Sequence, residues 1–422
     1  MLKNYFKIAI AVLLRRKFMT FVNLFGTVLT LTVLVVAFAL FDSIASPRGA
    51  ERRHDHVLGV EGVMLTNGTT RSAWGSSVGK AFHDRFVAPM STPDLVSYAT
   101  TATVGTSYLD GRKITRQVRR TDAAYWRILD FDLRAGRLLS ADDVDSGRFV
   151  AVINEATAAI YFPEGSPVGK SFVIDRRSFE VVGVVGNEPE TSRLAFADVW
   201  VPLTATDSSA YEQEWLAGGL SLLYVDDPAR REAMRAEFRA GLARFEYTPD
   251  PNAYDKASAQ ATTTFEDIAF RALNELDAVG FSTPPATYVS QFVGAAIFVA
   301  LLFMALPAIN MTNLNIGRIL ERAPEIGLRK ATGASIRVLV GQFVFESMVL
   351  AAISGVLALA IAPLVLGVLN DVFAYGQLRL NGATFVAGLV FVVVFGVLSG
   401  LYPACKMARL EPAAALRGQR NG

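Results

Sequence analysis

One cysteine, Cys405, stands in 422 residues, so no intramolecular disulfide can form and an oxidising compartment is neither required nor excluded. Histidine is almost as scarce, with only His54, His56 and His83. The pair at 54 and 56 would share a face only on a strand and has no cysteine near it, so it reads as a solvated flank. His83 beside Asp84 reads the same way, and neither a metal site nor a catalytic triad is expected. Charged residues make up 19%, short of the roughly one quarter of an ordinary soluble domain. Their near balance, a formal net charge of +2, gives no bulk attraction to nucleic acid. A complete phosphate loop is missing too. Gly165-Ser-Pro-Val-Gly-Lys-Ser171 comes close, but Glu164 holds the place of the first glycine, and a turn before a strand accounts for it better. The chain alone is therefore expected to hydrolyse no ATP, and no cofactor is indicated.

Apolar residues are abundant and unevenly placed. They make up 52% even without the 33 glycines, which excludes a disordered, collagen-like or disulfide-stapled chain. Residues 18–41 and 286–317 carry no charge, 338–369 only Glu346, and 383–404 none. Each exceeds the roughly 20 helical residues that cross a bilayer core of about 30 Å. Four transmembrane helices are predicted.

Orientation follows from lysine and arginine near the span ends. Residues 1–17, 318–337 and 405–422 together carry 14 of them, whereas the short loop 370–382 carries Arg379 alone. Both termini are thus expected in the cytoplasm. The long segment 42–285, with 34 acidic and 26 basic residues, is expected outside; its length exempts its own arginines from the rule. The first apolar run is too long for a signal peptide and lacks a clear cleavage site, which favours an uncleaved anchor. Before it, Leu2, Phe6, Ile10 and Leu13 recur at helical spacing. Either a short helix on the cytoplasmic interface or a continuation of the span fits.

Within the outer segment, 149–153, 171–174, 179–185 and 220–225 read as strands. Residues 155–162 read as a helix. A second helix over 228–245 opens with Pro228 and places Met234, Phe238, Leu242 and Phe245 on one face. An α+β domain inserted between the first and second membrane helices is the fold expected. Residues 44–110 show too little periodicity to draw. The charge-free run at 286–317 would measure roughly 48 Å as a helix, more than a bilayer needs, and suggests a stalk continuing outward. Pro307 offers a place for a kink.

Between spans two and three, Pro324 suits a first helical position and Glu325 its positive end. Arg329 and Lys330 suit the negative end, Gly333 the left-handed residue beyond it, and Ser335 the cap of the next helix. A two-turn helix delimited at both ends results. It is either a solvated turn or a rigid knob on which another protein docks, with Ile326 and Leu328 as apolar contacts.

The run Pro324-Glu-Ile-Gly-Leu-Arg-Lys-Ala-Thr-Gly-Ala-Ser335 resembles the signature of FtsX/MacB-type ABC transporter permeases. Gln342-Phe-Val-Phe-Glu-Ser347 and Tyr402-Pro-Ala-Cys-Lys-Met-Ala-Arg-Leu-Glu-Pro-Ala-Ala-Ala-Leu-Arg417 are similar to its later segments, Cys405 standing where a basic residue is common. Gly136-Arg137, residues 150–155, Pro167-Val-Gly-Lys170 and Val181-Val-Gly-Val-Val185 resemble the MacB-like periplasmic core domain. The resemblance implies a dimeric permease, homo- or heteromeric, in a bacterial inner membrane, driven by a separate cytoplasmic ABC ATPase dimer. It implies that Glu325, Ile326, Gly327, Leu328, Arg329, Lys330, Gly333 and Ala334 couple to that ATPase, and that the outer domain flexes in response. Apart from Glu346 the spans hold no ionisable residue, which suits transmission of movement better than a polar pathway. Glu346 itself reads as a contact within the helix bundle, or as a residue snorkelling to the interface.

Three functions remain open on sequence. The first is a permease that exports or extracts an amphiphile (drug, peptide or lipid), with membrane lipids and possible periplasmic adaptors as partners. The second is a regulator of the same build acting on an envelope partner such as a cell-wall hydrolase. The third is a membrane-anchored sensor or enzyme whose active part lies outside.

Overall fold

The computed structural model describes residues 17–67, 73–244, 256–274, 284–321, 335–372, 375 and 378–408. The chain divides into two compact units. Met1–Asp42, Val293–Val372 and Leu378–Gly422 form one, and Ser43–Phe292 with Phe373–Gln377 form the other.

The first apolar run becomes α1 (Lys17–Ala45). The outer unit then starts with β1 (Val57–Val60), β2 (Gly62–Thr66), β3 (Ala73–Ser77) and α2 (Lys80–Phe86). Next come β4 (Leu95–Thr100), the hairpin β5 (Thr103–Leu109) and β6 (Arg112–Thr121), α3 (Tyr125–Ile128), β7 (Leu133–Gly136) and α4 (Ala141–Asp145). β8 (Val150–Asn154), α5 (Glu155–Tyr161), the hairpin β9 (Ser171–Ile174) and β10 (Arg177–Val185), and β11 (Val199–Pro202) follow. The unit closes with β12 (Gly219–Tyr224), α6 (Arg231–Leu242), β13 (Lys256–Ala259) and α7 (Thr264–Asn274).

Ten strands make one mixed sheet in the order β1-β12-β4-β6-β11-β8-β10-β7, with β5 added on β6 and β9 on β10. β8 and β10 run parallel, as do β6 and β11; the other pairs are antiparallel. A small sheet, β13-β2-β3, stands apart from it. The α+β domain expected between the first two apolar helices is therefore present. Among the described residues of 44–110, where the sequence pattern was mute, it has five strands, one α-helix and two short 3-10 helices.

Local chemistry explains several boundaries. Asp227 accepts a hydrogen bond from Ala229 N at 2.9 Å and Pro228 follows at the first position, starting the turn that leads into α6. Met234, Phe238 and Leu242 on one face of α6 are buried, as their spacing predicts. Gly136 has φ +73°, and a Cβ there would lie 2.2 Å from the carbonyl oxygen of Val182; one on Gly183 would lie 2.1 Å from that of Arg137. β7 and β10 can cross this closely only because both residues lack a side chain. Arg137 then pairs with buried Asp143, its Nη2 donating at 3.0 Å, and Ser140 completes a capping box on α4. That guanidinium, ahead of the hydrogen bonds from Ser140, holds the Asp143 carboxyl well below the usual range.

The histidines correct the sequence reading. His83 is buried on α2, with Nδ1 2.9 Å from Ser221 Oγ and its ring against Tyr98. Burial lowers its pKa to about 4, with Lys80 adding to the effect, so it is a neutral core residue rather than a solvated one. His56 is half-buried as well, its Nδ1 3.0 Å from Val225 O and its ring stacked on Tyr224. An aromatic neighbour and a carbonyl at hydrogen-bond distance offset the cost of partly removing the imidazole from water. The Gly165–Ser171 stretch is the expected turn: Gly165 and Gly169 have φ of +76° and +84°, and Lys170 Nζ donates to Glu164 O before β9 begins.

The remaining apolar runs are carried by α8 (Pro285–Glu321), which belongs to the other unit from Val293 onward, α9 (Ile336–Val372) and α10 (Gly382–Ala408). Together with α1 they supply four helices long and apolar enough to cross a membrane. α8 remains helical through position 307. α10 packs on α9 through glycines: a Cβ on Gly400 would lie 2.9 Å from Ser347 Cβ, and one on Gly396 3.2 Å from Ala351 Cβ. Small residues of this kind let helices approach where lipid supplies no hydrophobic drive. Leu31, Leu34, Met304, Leu350 and Phe395 form the centre of the bundle.

Candidate functional site

The residues expected to couple to an ATPase, Glu325 to Lys330 with Gly333 and Ala334, lie outside the described residues. The flanks are described. α8 ends at Glu321, and α9 begins at Ile336, directly after Ser335. Glu346 is half-buried on α9, where Gln342 Nε2 donates to its Oε1 at 3.3 Å; Gln342 and Ser347 are buried. One helical turn separates Gln342 and Glu346, so they share a face.

A polar cluster that the sequence did not single out centres on Asp198, the residue before β11. Its Oδ2 accepts from Gln117 N on β6 at 2.8 Å, and its Oδ1 accepts from Asn154 Nδ2 at 3.0 Å. Asn154 ends β8 and caps α5 by accepting from Thr157 N at 2.8 Å, so its position is fixed from two sides. The remaining partner comes from far along the chain. Tyr375, from the loop between α9 and α10, donates its hydroxyl to Asp198 Oδ1 at 2.5 Å. Arg116 Nη1 lies 3.4 Å from the Tyr375 hydroxyl and 3.9 Å from Asp198 Oδ2. Burial first, then the bond to Asp198, raises the Tyr375 pKa to about 12, so the phenol keeps its proton and remains a donor. Tyr375 has φ +53°, a left-handed backbone that a tyrosine rarely adopts and that surrounding contacts must hold. One tyrosine in a short loop gives no sequence signal of this role.

A second cluster lies early in the outer unit. Glu51, six residues past α1, is fully buried and accepts from Leu194 N at 2.8 Å and Ala195 N at 3.0 Å. Burial, opposed by those bonds, raises its pKa to about 7. Glu188, which accepts from Ala50 N at 3.1 Å, is raised by burial to about 8. Close by in sequence, Glu61 Oε2 pairs with Arg193 Nη2 at 2.8 Å, and Arg271 Nε pairs with Asp267 Oδ2 at 2.6 Å. Burial, then the neighbouring Asp267, pushes the Glu61 carboxyl upward. α7, which carries Asp267 and Arg271, packs Phe270 edge-on against Tyr288 in the first turn of α8, the rings 5.2 Å apart.

Neither cluster forms a nucleophile–base pair aimed at an open cavity. Their chemistry is that of fastening: buried carboxylates joining strands, helix ends and one distant loop.

Comparison with known proteins agrees with this build. Residues 20–240 match the model for the MacB-like periplasmic core domain, and residues 281–412 match that for the FtsX-like permease C-terminal. The macrolide export ATP-binding/permease protein MacB of Wolinella succinogenes is 24% identical over 94% of this chain and 59% of its own. An uncharacterised ABC transporter permease, YknZ of Bacillus subtilis, is 23% identical over 69% of this chain and 68% of its own. Among solved structures, the periplasmic region of MacB from Actinobacillus actinomycetemcomitans covers 50% of this chain and 92% of its own, at 17% identity and a TM-score of 0.36. The chain spans about half the length of the curated MacB relatives it matches, between 40% and 59%.

Proposed function

We propose, since this chain belongs to the ABC transporter permease family that joins a MacB-like periplasmic core domain to an FtsX-like permease segment, that it converts the work of a separate cytoplasmic ATPase dimer into movement of its outer domain. The cargo of that movement is an amphiphile, a drug, peptide or lipid, exported or drawn from the outer face of a bacterial inner membrane. Both chain ends face the cytoplasm in this reading.

The observation that carries the proposal is α8. Its 37 residues form one uninterrupted helix, whose first turns (to Phe292) belong to the outer unit and whose remainder belongs to the membrane unit. At about 1.5 Å per residue the rod is roughly 55 Å long. A continuous helix resists compression, so displacement at Glu321 can be carried along one rod towards Pro285. The connector that follows Glu321, with Glu325, Arg329 and Lys330 as its charged contacts and Ile326 and Leu328 as apolar ones, is the natural grip for the ATPase. A second permease subunit fits the exposed flank of α8. Only 11% of its apolar window is buried within the chain, against 33–44% for the other three, and Phe298, Leu302 and Phe303 are exposed.

Affinity purification of the intact chain in mild detergent tests the reading. An ABC ATPase should co-purify, and replacing Glu325, Arg329 and Lys330 together by alanine should release it while leaving membrane insertion unchanged. Retention of a fully stimulated ATPase on the triple variant would refute the coupling role.

A further inference from the structure

The hairpins β5–β6 and β9–β10 meet at Asp175. Its backbone N donates to Thr106 O at 2.8 Å, and its side-chain Oδ1 accepts from Thr106 N at 2.8 Å. Asp175 and Arg176 both have positive φ, +48° and +65°. Two-residue hairpin turns of this shape ordinarily take Asn-Gly or Asp-Gly, so an Asp-Arg pair there is strained, and such strain gathers at functional sites.

Beside this turn lies a cleft of about 450 Å³, a size common for small-molecule sites. Ile174, Phe179 and Val201 give it an apolar floor, and Thr103 and Thr206 place hydroxyls on its wall. With Asp175 and Arg177, Arg120 also lines it. Its half-buried guanidinium rests 5.6 Å from the centre of the Tyr211 ring. Among the described residues it meets no carboxylate within ion-pair distance and its side chain donates no hydrogen bond. Its neighbours on the same rim differ: Arg177 pairs with Asp207, and the Asp175 carboxylate is committed to Thr106. A guanidinium held by an aromatic ring, partly withdrawn from water and lacking a counter-ion, is prepared for an anion.

We infer that this cleft binds an amphiphile with a single oxyanion headgroup, carboxylate or phosphate monoester, the headgroup on Arg120 and the hydrophobic tail on the Ile174, Phe179 and Val201 floor. The inference rests on the proposed handling of amphiphiles and adds the charge of the molecule and the place that holds it.

Calorimetric titration of the full chain in phosphatidylcholine nanodiscs, without any ATPase and with empty discs subtracted, tests it. Octanoate and octyl phosphate should bind saturably at one site per chain, and octyltrimethylammonium should not. Arg120→Gln should weaken the anions by roughly tenfold or more, the worth of one charge-assisted contact. Arg120→Lys should keep most of the affinity, and Thr103→Trp, at an exposed wall position, should block the cleft with an unchanged melting temperature. Equal binding of the cation, full affinity in Arg120→Gln, or inorganic phosphate binding as tightly as octyl phosphate would each overturn it. Because no nucleotide enters the assay, such a failure would leave ATPase coupling intact, and a failure of coupling would leave this binding intact.

Discussion

Tyr375 donates a hydrogen bond from its hydroxyl to Asp198, 177 residues earlier in the chain, at 2.5 Å. The loop between the last two membrane helices is thereby fastened to the strand end where β6, β8 and β11 come together.

Removing that hydroxyl should therefore loosen this fastening without unfolding the outer unit. Tyr375→Phe should cost about 2 kcal/mol of stability, as for a hydrogen bond to a charged group. In a thermal double-mutant cycle with Asp198→Asn, the two changes should be non-additive by about 0.5–3 kcal/mol. Strict additivity would mean that the bond does not hold in solution.

Glu51 and Glu188 predict an unusual pH dependence. Both carboxyls have pKa values raised on folding, from 4.5 to about 7 and about 8, so the native state holds protons that the unfolded chain releases. Stability is thus fully present below about pH 4.5 and is lost as pH climbs through 7 to 8. Between about pH 5.5 and 8.5 the melting temperature of the detergent-purified chain should fall steadily as both sites lose their protons. Glu188→Gln should flatten the curve, and a rising curve would contradict the assignment.

Helix packing in the membrane unit gives a third expectation. Gly400→Leu must displace Ser347 and should cost about 1–3 kcal/mol by over-packing. Gly294→Leu on α8, where nothing lies within 4 Å of a new Cβ, should change the melting temperature little. Equal losses for both would refute the close approach of α9 and α10.

Topology can be checked directly. Reporter fusions at residue 200 should read as external and at residue 330 as cytoplasmic. The reverse pattern would overturn the orientation drawn from lysine and arginine.

The long apolar runs were legible in the sequence because a bilayer demands length and lack of charge, and both are visible residue by residue. β8, β10 and α6 were legible for a similar reason, since Val150–Asn154 and the Met234, Phe238, Leu242 face follow a single period. Residues 57–109 were not, in part because β1 and β4 both pair with β12 more than 100 residues away: Leu58 faces Leu223 and Val96 also faces Leu223. His83 was misread because Ser221 and Tyr98, which make its burial tolerable, come from other strands. The Asp198 cluster stayed hidden on the same account. Asn154 lay in a recognised motif, but nothing in a one-dimensional pattern joins it to Tyr375.

The unbroken α8 carries a phase as well as a length. Each residue of a helix turns its successors by about 100° and advances them about 1.5 Å. One alanine inserted after Val293 would turn the first helical residues, from Pro285, about a quarter-turn out of phase with the rest of the rod. Seven inserted alanines, close to two full turns, would restore the phase and only lengthen the shaft. Activity that disappears with one and returns with seven would identify torque, rather than reach, as what the shaft delivers.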